Sequence, residues 1–290
     1  MCGILGYYSF GKALPDKQKL AMMFSELQIR GADASGFAYV KDRCLNVVKA
    51  PVPSSELVKQ EDWRKLILPK VLILHARAKT QGSEKNNKNN HPIHNKQIAI
   101  VHNGIIYNDK EIFGLNQKRD AEVDSEAILA LLEKPGKADK LKRIFDLLEG
   151  SFAFAAIDKN YPDTLILVKK DNPLELYYDE SDDILYFCSE ADIIRNAMNI
   201  NKILKRGFNL GEGNFHHYDM ENNHALIINK DGVDTYKKYY PKTSYRSYDF
   251  FDDGYPVECP HCLGNTLFRT GRLTNRCQNC GMEIMEEEIF

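Results

Sequence analysis

The chain has 290 residues, 43% hydrophobic and 28% charged. That ordinary globular balance excludes collagen-like, mucin-like and wholly disordered classes. Its 39 basic and 41 acidic residues give a net charge of −2, so no global basic excess points to a nucleic-acid backbone. No apolar run reaches the length that crosses a bilayer. The short apolar start also lacks a basic n-region and a small-residue cleavage site. A cytoplasmic protein with no membrane partner is expected.

In chain order, short runs rich in Val, Ile, Phe and Tyr predict strands over 4–9, 36–39, 71–75, 98–103, 152–157, 165–169, 174–178, 184–188 and 225–229. Apolar spacing predicts helices over 17–29, 125–132, 140–148 and 191–198. In the first, Leu20, Met23, Phe24 and Leu27 share a face. In the second, Asp124 stands where an N-cap belongs. Many short strands with few helices and no βαβ rhythm suggest an α+β layered fold, two sheets sandwiched by helices. Residues 81–90 and 241–256 read as loops. The second divides the chain into a main domain over 2–240, a linker over 241–256 and a small module over 257–290.

The seven cysteines are Cys2, Cys44, Cys188, Cys259, Cys262, Cys277 and Cys280. An odd count with four bunched at the end is a poor disulfide framework. Cys259-Pro-His-Cys262 and Cys277-Gln-Asn-Cys280 instead form a doubled C-x2-C array with fourteen residues between the pairs. Two such turns complete the tetrahedron of thiolates that zinc prefers, so one structural zinc ion in a zinc ribbon is expected. Redox-active pairs or unligated thiols are the alternative. The short segment has few apolar residues, and the metal would supply its ordering energy. Arg269, Arg272 and Arg276 could meet phosphates, but Glu283, Glu286, Glu287 and Glu288 follow and oppose them. A solvated face is the simpler account.

Cys2 is the candidate nucleophile. Once Met1 is removed, its thiol lies beside its own α-amine, which titrates near 7.7–8.0. Such an amine can serve as general base for the adjacent nucleophile. Cleaving an amide also needs an oxyanion hole.

Seven segments give this cysteine a context. They are Cys2-Gly-Ile-Leu-Gly6, Arg30-Gly-Ala-Asp-Ala-Ser-Gly36, His75-Ala-Arg-Ala-Lys-Thr-Gln-Gly82, Asn90-His-Pro92, His102-Asn-Gly-Ile-Ile106, Asp124-Ser-Glu126 and Glu149-Gly-Ser-Phe-Ala-Phe154, the first containing Cys2 itself. In this order and spacing the chain resembles the class II glutamine amidotransferase domain, the cysteine-first branch of the N-terminal nucleophile hydrolases. Glucosamine-6-phosphate synthase, glutamine PRPP amidotransferase and asparagine synthetase carry that domain. The resemblance spans about residues 2–160, with weaker likeness to about 240. It implies a four-layer αββα sandwich of antiparallel sheets.

The resemblance also implies roles. Cys2 attacks the side-chain amide of L-glutamine, with its α-amine as base through a water, and forms a γ-glutamyl thioester. Asn103 (side-chain amide) and Gly104 (backbone N–H) form the oxyanion hole. Arg77 grips the substrate carboxylate with help from Thr80, and Asp124 pairs with the ammonium, a complementary arrangement for a zwitterion. Arg30, Gly31 and Asp33 serve as a turn and ion pair behind the nucleophile, and His75, His91 and His102 as hydrogen-bonding scaffold. No cofactor is implied for catalysis. Ala78 and Gln81 stand where some relatives have an aromatic residue and a histidine, so no aromatic ring at 78 can close over glutamine. No second catalytic domain is visible, so ammonia would pass to a separate synthetase or transferase, with the ribbon as a possible docking piece. Two alternatives stay open: hydrolysis of another γ-glutamyl or acyl amide, and a catalytically silent binding module working through the ribbon.

Overall fold

The computed structural model describes residues 2–113, 119–133, 140–200 and 215–237, with shorter stretches at 255–258, 261–262, 265–268, 275–276, 280 and 282–284. The chain divides into two compact units, Met1–Lys238 and Tyr239–Phe290.

The first unit starts with β1 (Gly3–Ser9) and α1 (Lys17–Glu26). Asp16 caps α1 by accepting from the amides of Gln18 and Lys19 at 2.7 and 3.1 Å, satisfying donors that a helix start leaves free. The helix is shorter than the 17–29 predicted. After Glu26 the chain tightens into a 3-10 turn, Leu27–Arg30, which keeps Leu27 buried on the α1 face. Next come β2 (Ala34–Lys41), β3 (Cys44–Ala50), α2 (Ser54–Leu57), α3 (Glu61–Lys65) and β4 (Val71–Arg77). The predicted loop over 81–90 contains one 3-10 turn, Asn87–Asn89. The chain continues through β5 (Ile93–His94), β6 (Ile98–Ile106), α4 (Asp109–Phe113), α5 (Glu126–Glu133), α6 (Lys140–Leu147), β7 (Gly150–Asp158) and β8 (Tyr161–Lys170). The unit closes with β9 (Glu175–Asp179), β10 (Ile184–Cys188), α7 (Ala191–Ala197), β11 (Phe215–Asp219), β12 (His224–Asn229) and β13 (Gly232–Lys237).

Two sheets result, ordered β11-β9-β10-β1-β4-β2-β3 and β13-β12-β8-β7-β6-β5. The named strands pair antiparallel throughout. Strand period two explains the layers. Leu5 and Tyr7 of β1, with Leu72 and Leu74 of β4, pack outward with α1, α2, α3 and α7. Ile4, Tyr8 and Ile73 turn inward against Ala99, Val101, Ala153 and Ala155 of the second sheet. Ile98 and Ile100 of β6 and Phe152 and Phe154 of β7 pack outward under α4, α5 and α6. The architecture is an αββα sandwich, as the resemblance implies. No helix among the described residues is long and apolar enough to cross a membrane.

In the second unit, β14 (Tyr255–Glu258) pairs with β15 (Asn265–Phe268), and β16 (Asn275–Arg276) with β17 (Glu283–Ile284). Tyr255 and Pro256, read from sequence as the end of the linker, pair with Phe268 and Leu267 and so belong to the module. Cys262 lies between β14 and β15 and Cys280 between β16 and β17, both exposed. Cys259 and Cys277 fall outside the described residues, as do Arg269, Arg272, Glu286, Glu287 and Glu288. Among the described residues no group of three or more His, Cys, Asp or Glu could hold a metal ion.

Candidate active site

Cys2 enters directly from β1, a central strand flanked by β10 and β4. The register Gly3↔Ala76 sets Cys2 beside the end of β4, where Arg77 lies. Arg30 secures this point: its Nε donates to the Cys2 carbonyl at 3.2 Å and its guanidinium pairs with Glu190 at 2.6 Å. Gly31 passes so close to β4 that a Cβ there would stand 2.2 Å from the Ala78 amide nitrogen, so only glycine fits. Asp33 accepts from the Lys79 amide at 2.7 Å. The Cys2 thiol approaches the Ala78 carbonyl at 3.5 Å. Burial pushes its pKa up from the usual thiol value. The backbone at Ala78, the amino terminus and Arg77 pull it down, and the Asp124 carboxylate adds to the rise. The thiol therefore lies within electrostatic reach of both charges assigned to the substrate's amino-acid end.

Arg77 is only 2% exposed. One terminal nitrogen donates to Asn90 Oδ1 at 2.7 Å; the other donates to the Gln81 carbonyl and to the Gly82 carbonyl at 3.0 Å. Three bonds thus fix the guanidinium plane. Asn90 is itself held: its Nδ2 donates to the Glu84 carbonyl and Asn87 Oδ1, and Lys49 Nζ donates to the Asn90 and Pro92 carbonyls. Burial, reinforced by the charge of Arg77, lowers the Lys49 pKa to about 8. Thr80 lies on the exposed part of this loop, at the rim rather than in the bonded cluster.

The second sheet supplies the other wall. His75 Nε2 of β4 meets the His102 carbonyl of β6 at 2.9 Å, joining the two sheets one residue before Asn103. Asn103 is 1% exposed, and its buried Nδ2 has no protein hydrogen-bond partner. Gly104 has φ +140°, and a Cβ there would come 2.1 Å from the Ser151 carbonyl oxygen. Glycine is required here twice over, by backbone angle and by space. Beyond it, the Ile106 amide donates to Asp124 Oδ2 at 2.8 Å. That carboxylate is engaged with β6 rather than with the amides of α5, the N-cap position the sequence suggested.

The β1–β4 register sets Cys2 beside Arg77, the Cys2 thiol feels the charges of both Arg77 and Asp124, and Asn103 and Gly104 lie on β6 of the second sheet. His75, His91 and His102 are buried together, His75 stacked on His91 at 4.1 Å between centroids. Burial holds all three below the usual histidine pKa, His75 at about 3. They are neutral and lie behind the site. Cys188 is fully buried, which pushes its thiol up to about 12, while Cys44 is exposed. Sequence reasoning missed the supports: Lys49 carried no signal, and Asn90 and Ser125 stood inside quoted motifs without roles.

Residues 75–196 match the model of a glutamine amidotransferase domain family. The glutamine–fructose-6-phosphate aminotransferase (isomerizing) of Clostridium tetani is 29% identical over 249 residues, covering 82% of this chain and 37% of that enzyme. The Aquifex aeolicus enzyme of the same description is 35% identical over 194 residues, covering 64% and 32%. The chain thus spans about a third of the length of these curated relatives. The glutamine phosphoribosylpyrophosphate amidotransferase of B. subtilis has a similar fold: TM-score 0.63 and 19% identity over 81% of this chain and 49% of that one. A glutamine aminotransferase class-II domain protein from Silicibacter pomeroyi superposes with TM-score 0.50 and 14% identity, over 82% of this chain and all of that one. Sequence motifs, sandwich architecture and family match agree, and this chain carries a class II glutamine amidotransferase domain, homologous to the glutaminase domains of known enzymes.

Proposed function

We propose that the first unit hydrolyses L-glutamine to glutamate and ammonia, and that the ammonia serves a separate synthetase or transferase. The observation that carries this reading is the thiol of Cys2 set within reach of an oriented guanidinium and a carboxylate, with the unpartnered Asn103 Nδ2 on the facing strand. Arg77 and Asp124 would take the substrate's carboxylate and ammonium, with Thr80 at the rim. With Met1 removed, the Cys2 α-amine would take the thiol proton through a water, offsetting the burial that disfavours the thiolate. The thiolate then bonds to the carboxamide carbon, and the oxygen gains charge facing Asn103 Nδ2 and the Gly104 amide. The C–N bond breaks and ammonia leaves with the proton. Water cleaves the thioester to glutamate and restores the thiol. The reading places the enzyme in the cytoplasm, where a thiol nucleophile stays reduced.

The test is ammonia release from glutamine by protein whose intact mass shows that it begins at Cys2. Wild type should turn over and Cys2→Ala should not. Diazo-oxo-norleucine should label Cys2 and spare Cys44 and Cys188. No release by correctly processed wild type would overturn the reading.

The proposal extends to one structural zinc ion held by Cys259, Cys262, Cys277 and Cys280. It is supported by the sequence spacing and by the position of Cys262 and Cys280 between paired strands. Four thiolates leave no open position for catalysis. Elemental analysis should find one zinc per chain, and Cys262→Ser with Cys280→Ser should lose it.

A further inference from the structure

The hub of the buried histidine cluster is Ser125, which the proposed chemistry does not use. It is 1% exposed and follows Asp124. Its Oγ lies 2.9 Å from His91 Nε2, 2.8 Å from His102 Nδ1 and 3.5 Å from Asp124 Oδ1. A hydroxyl has one proton to give and two lone pairs to receive with. How that proton is spent follows from the imidazoles.

Both rings are neutral, so each carries one N–H. The other nitrogens, His91 Nδ1 and His102 Nε2, are buried without a protein partner. An N–H there would be stranded, whereas a bare lone pair loses less. Assigned from the network, the two N–H groups therefore face Ser125. Its lone pairs are then filled, and the remaining acceptor for its proton is Asp124 Oδ1. At 3.5 Å this contact is longer than an ordinary O–H···O bond, and the charge of the carboxylate is what turns the proton toward it. The other carboxylate oxygen is already fixed by the Ile106 amide. His75 completes the chain: its Nε2 must be the protonated nitrogen, since a carbonyl can only accept.

We propose that Ser125 is a positioning residue for ammonium recognition: two neutral histidines fill its lone pairs, so its hydroxyl proton points at Asp124 and sets the carboxylate plane that selects α-amino substrates. This deepens the glutaminase reading and rests on it. Ser125 touches no substrate. It acts through Asp124 alone, so its loss should alter recognition of the amine and leave the chemistry at Cys2 untouched.

The experiment compares wild type and Ser125→Ala on glutamine and on 5-amino-5-oxopentanoate, the same amide without the amine. Ser125→Ala should raise the KM for glutamine about tenfold with kcat within about twofold, the scale of one lost hydrogen bond to a charged group. KM for the amine-free amide should not move, so discrimination between the two falls by the same factor. Ser125→Thr, which keeps the hydroxyl, should recover most of it. Alkylation of Cys2 by iodoacetamide, which offers no amino-acid end, should run at the wild-type rate and so certifies the fold. Unchanged discrimination in Ser125→Ala overturns the assignment while leaving the glutaminase reading intact, as does a KM that rises equally for both amides. A processed wild type inert toward glutamine removes the glutaminase reading and this assignment together.

Discussion

The two ends of the candidate site are built on opposite terms. At the amino-acid end every charged group is braced. Arg77 makes three bonds to the protein, and Asp124 takes the Ile106 amide and faces Ser125. At the amide end the donor is left over: Asn103 Nδ2 is buried with no protein partner, on a strand whose next residue is a glycine with φ +140°. The proposed chemistry accounts for the difference. A group that holds a ligand of fixed shape gains from being aimed in advance. A donor that stabilises charge appearing only during reaction gains from having no competing acceptor.

This contrast can be broken, and the largest effect belongs to the amide end. Cys2→Ala should abolish ammonia release while leaving the denaturation midpoint close to wild type. Asn103→Ala comes next. It should lower kcat by about 10²–10³-fold with a small stability cost, because its Nδ2 makes no protein bond to lose. The braced end should show the reverse. Asn90→Ala removes one of the three bonds on a buried guanidinium and should cost about 2 kcal/mol of stability. It should raise KM several-fold, with kcat nearly unchanged. Urea denaturation beside steady-state kinetics measures both axes. If Asn90→Ala acts on kcat alone, or Asn103→Ala on KM alone, the division of labour is wrong.

A gentler probe uses acid. His75, His91 and His102 are held neutral by burial, with pKa values below the ordinary 6.5 of the unfolded chain. Between the two values the unfolded state binds more protons, so stability rises with pH. It is complete above about pH 6.5 and falls as the pH drops below that. Each histidine contributes up to about 1.4 kcal/mol per pH unit while it titrates. Denaturant midpoints at pH 7 and pH 5 should differ accordingly, and equal midpoints would contradict burial of neutral imidazoles.

Much of the core was legible in the chain itself. The nine predicted strands all exist, and each lies inside a sheet. Among the described residues of the first unit, the four that went unpredicted are β3, β5, β11 and β13, which form the outer edges of the two sheets. An edge strand pairs on one side only and buries less. Phe215-His-His-Tyr-Asp and Gly232-Val-Asp-Thr-Tyr-Lys thus carry little of the apolar signal that marks an interior strand. The short helices α2, α3 and α4 complete too few turns for a 3.6-residue period to show.

The site divides in the same way. Cys2, Arg77, Asn103, Gly104 and Asp124 came to notice because they stand in the ordered motifs that carry the family resemblance. Lys49 and Ser125 contact residues of those motifs, and such contacts depend on three-dimensional neighbours that linear spacing does not encode. Lys49 reaches the Asn90 and Pro92 carbonyls across more than forty positions of chain.

The hold that Arg30 keeps on the Cys2 carbonyl has a practical corollary. The residues that follow Cys2, Gly3–Ser9, are tied into a central strand, so extra sequence fused upstream cannot be relieved by sliding that strand back. An affinity tag ahead of position 2 would cap the very nitrogen that the proposed chemistry calls on. Recombinant material should therefore carry a cleavable leader that leaves Cys2 first.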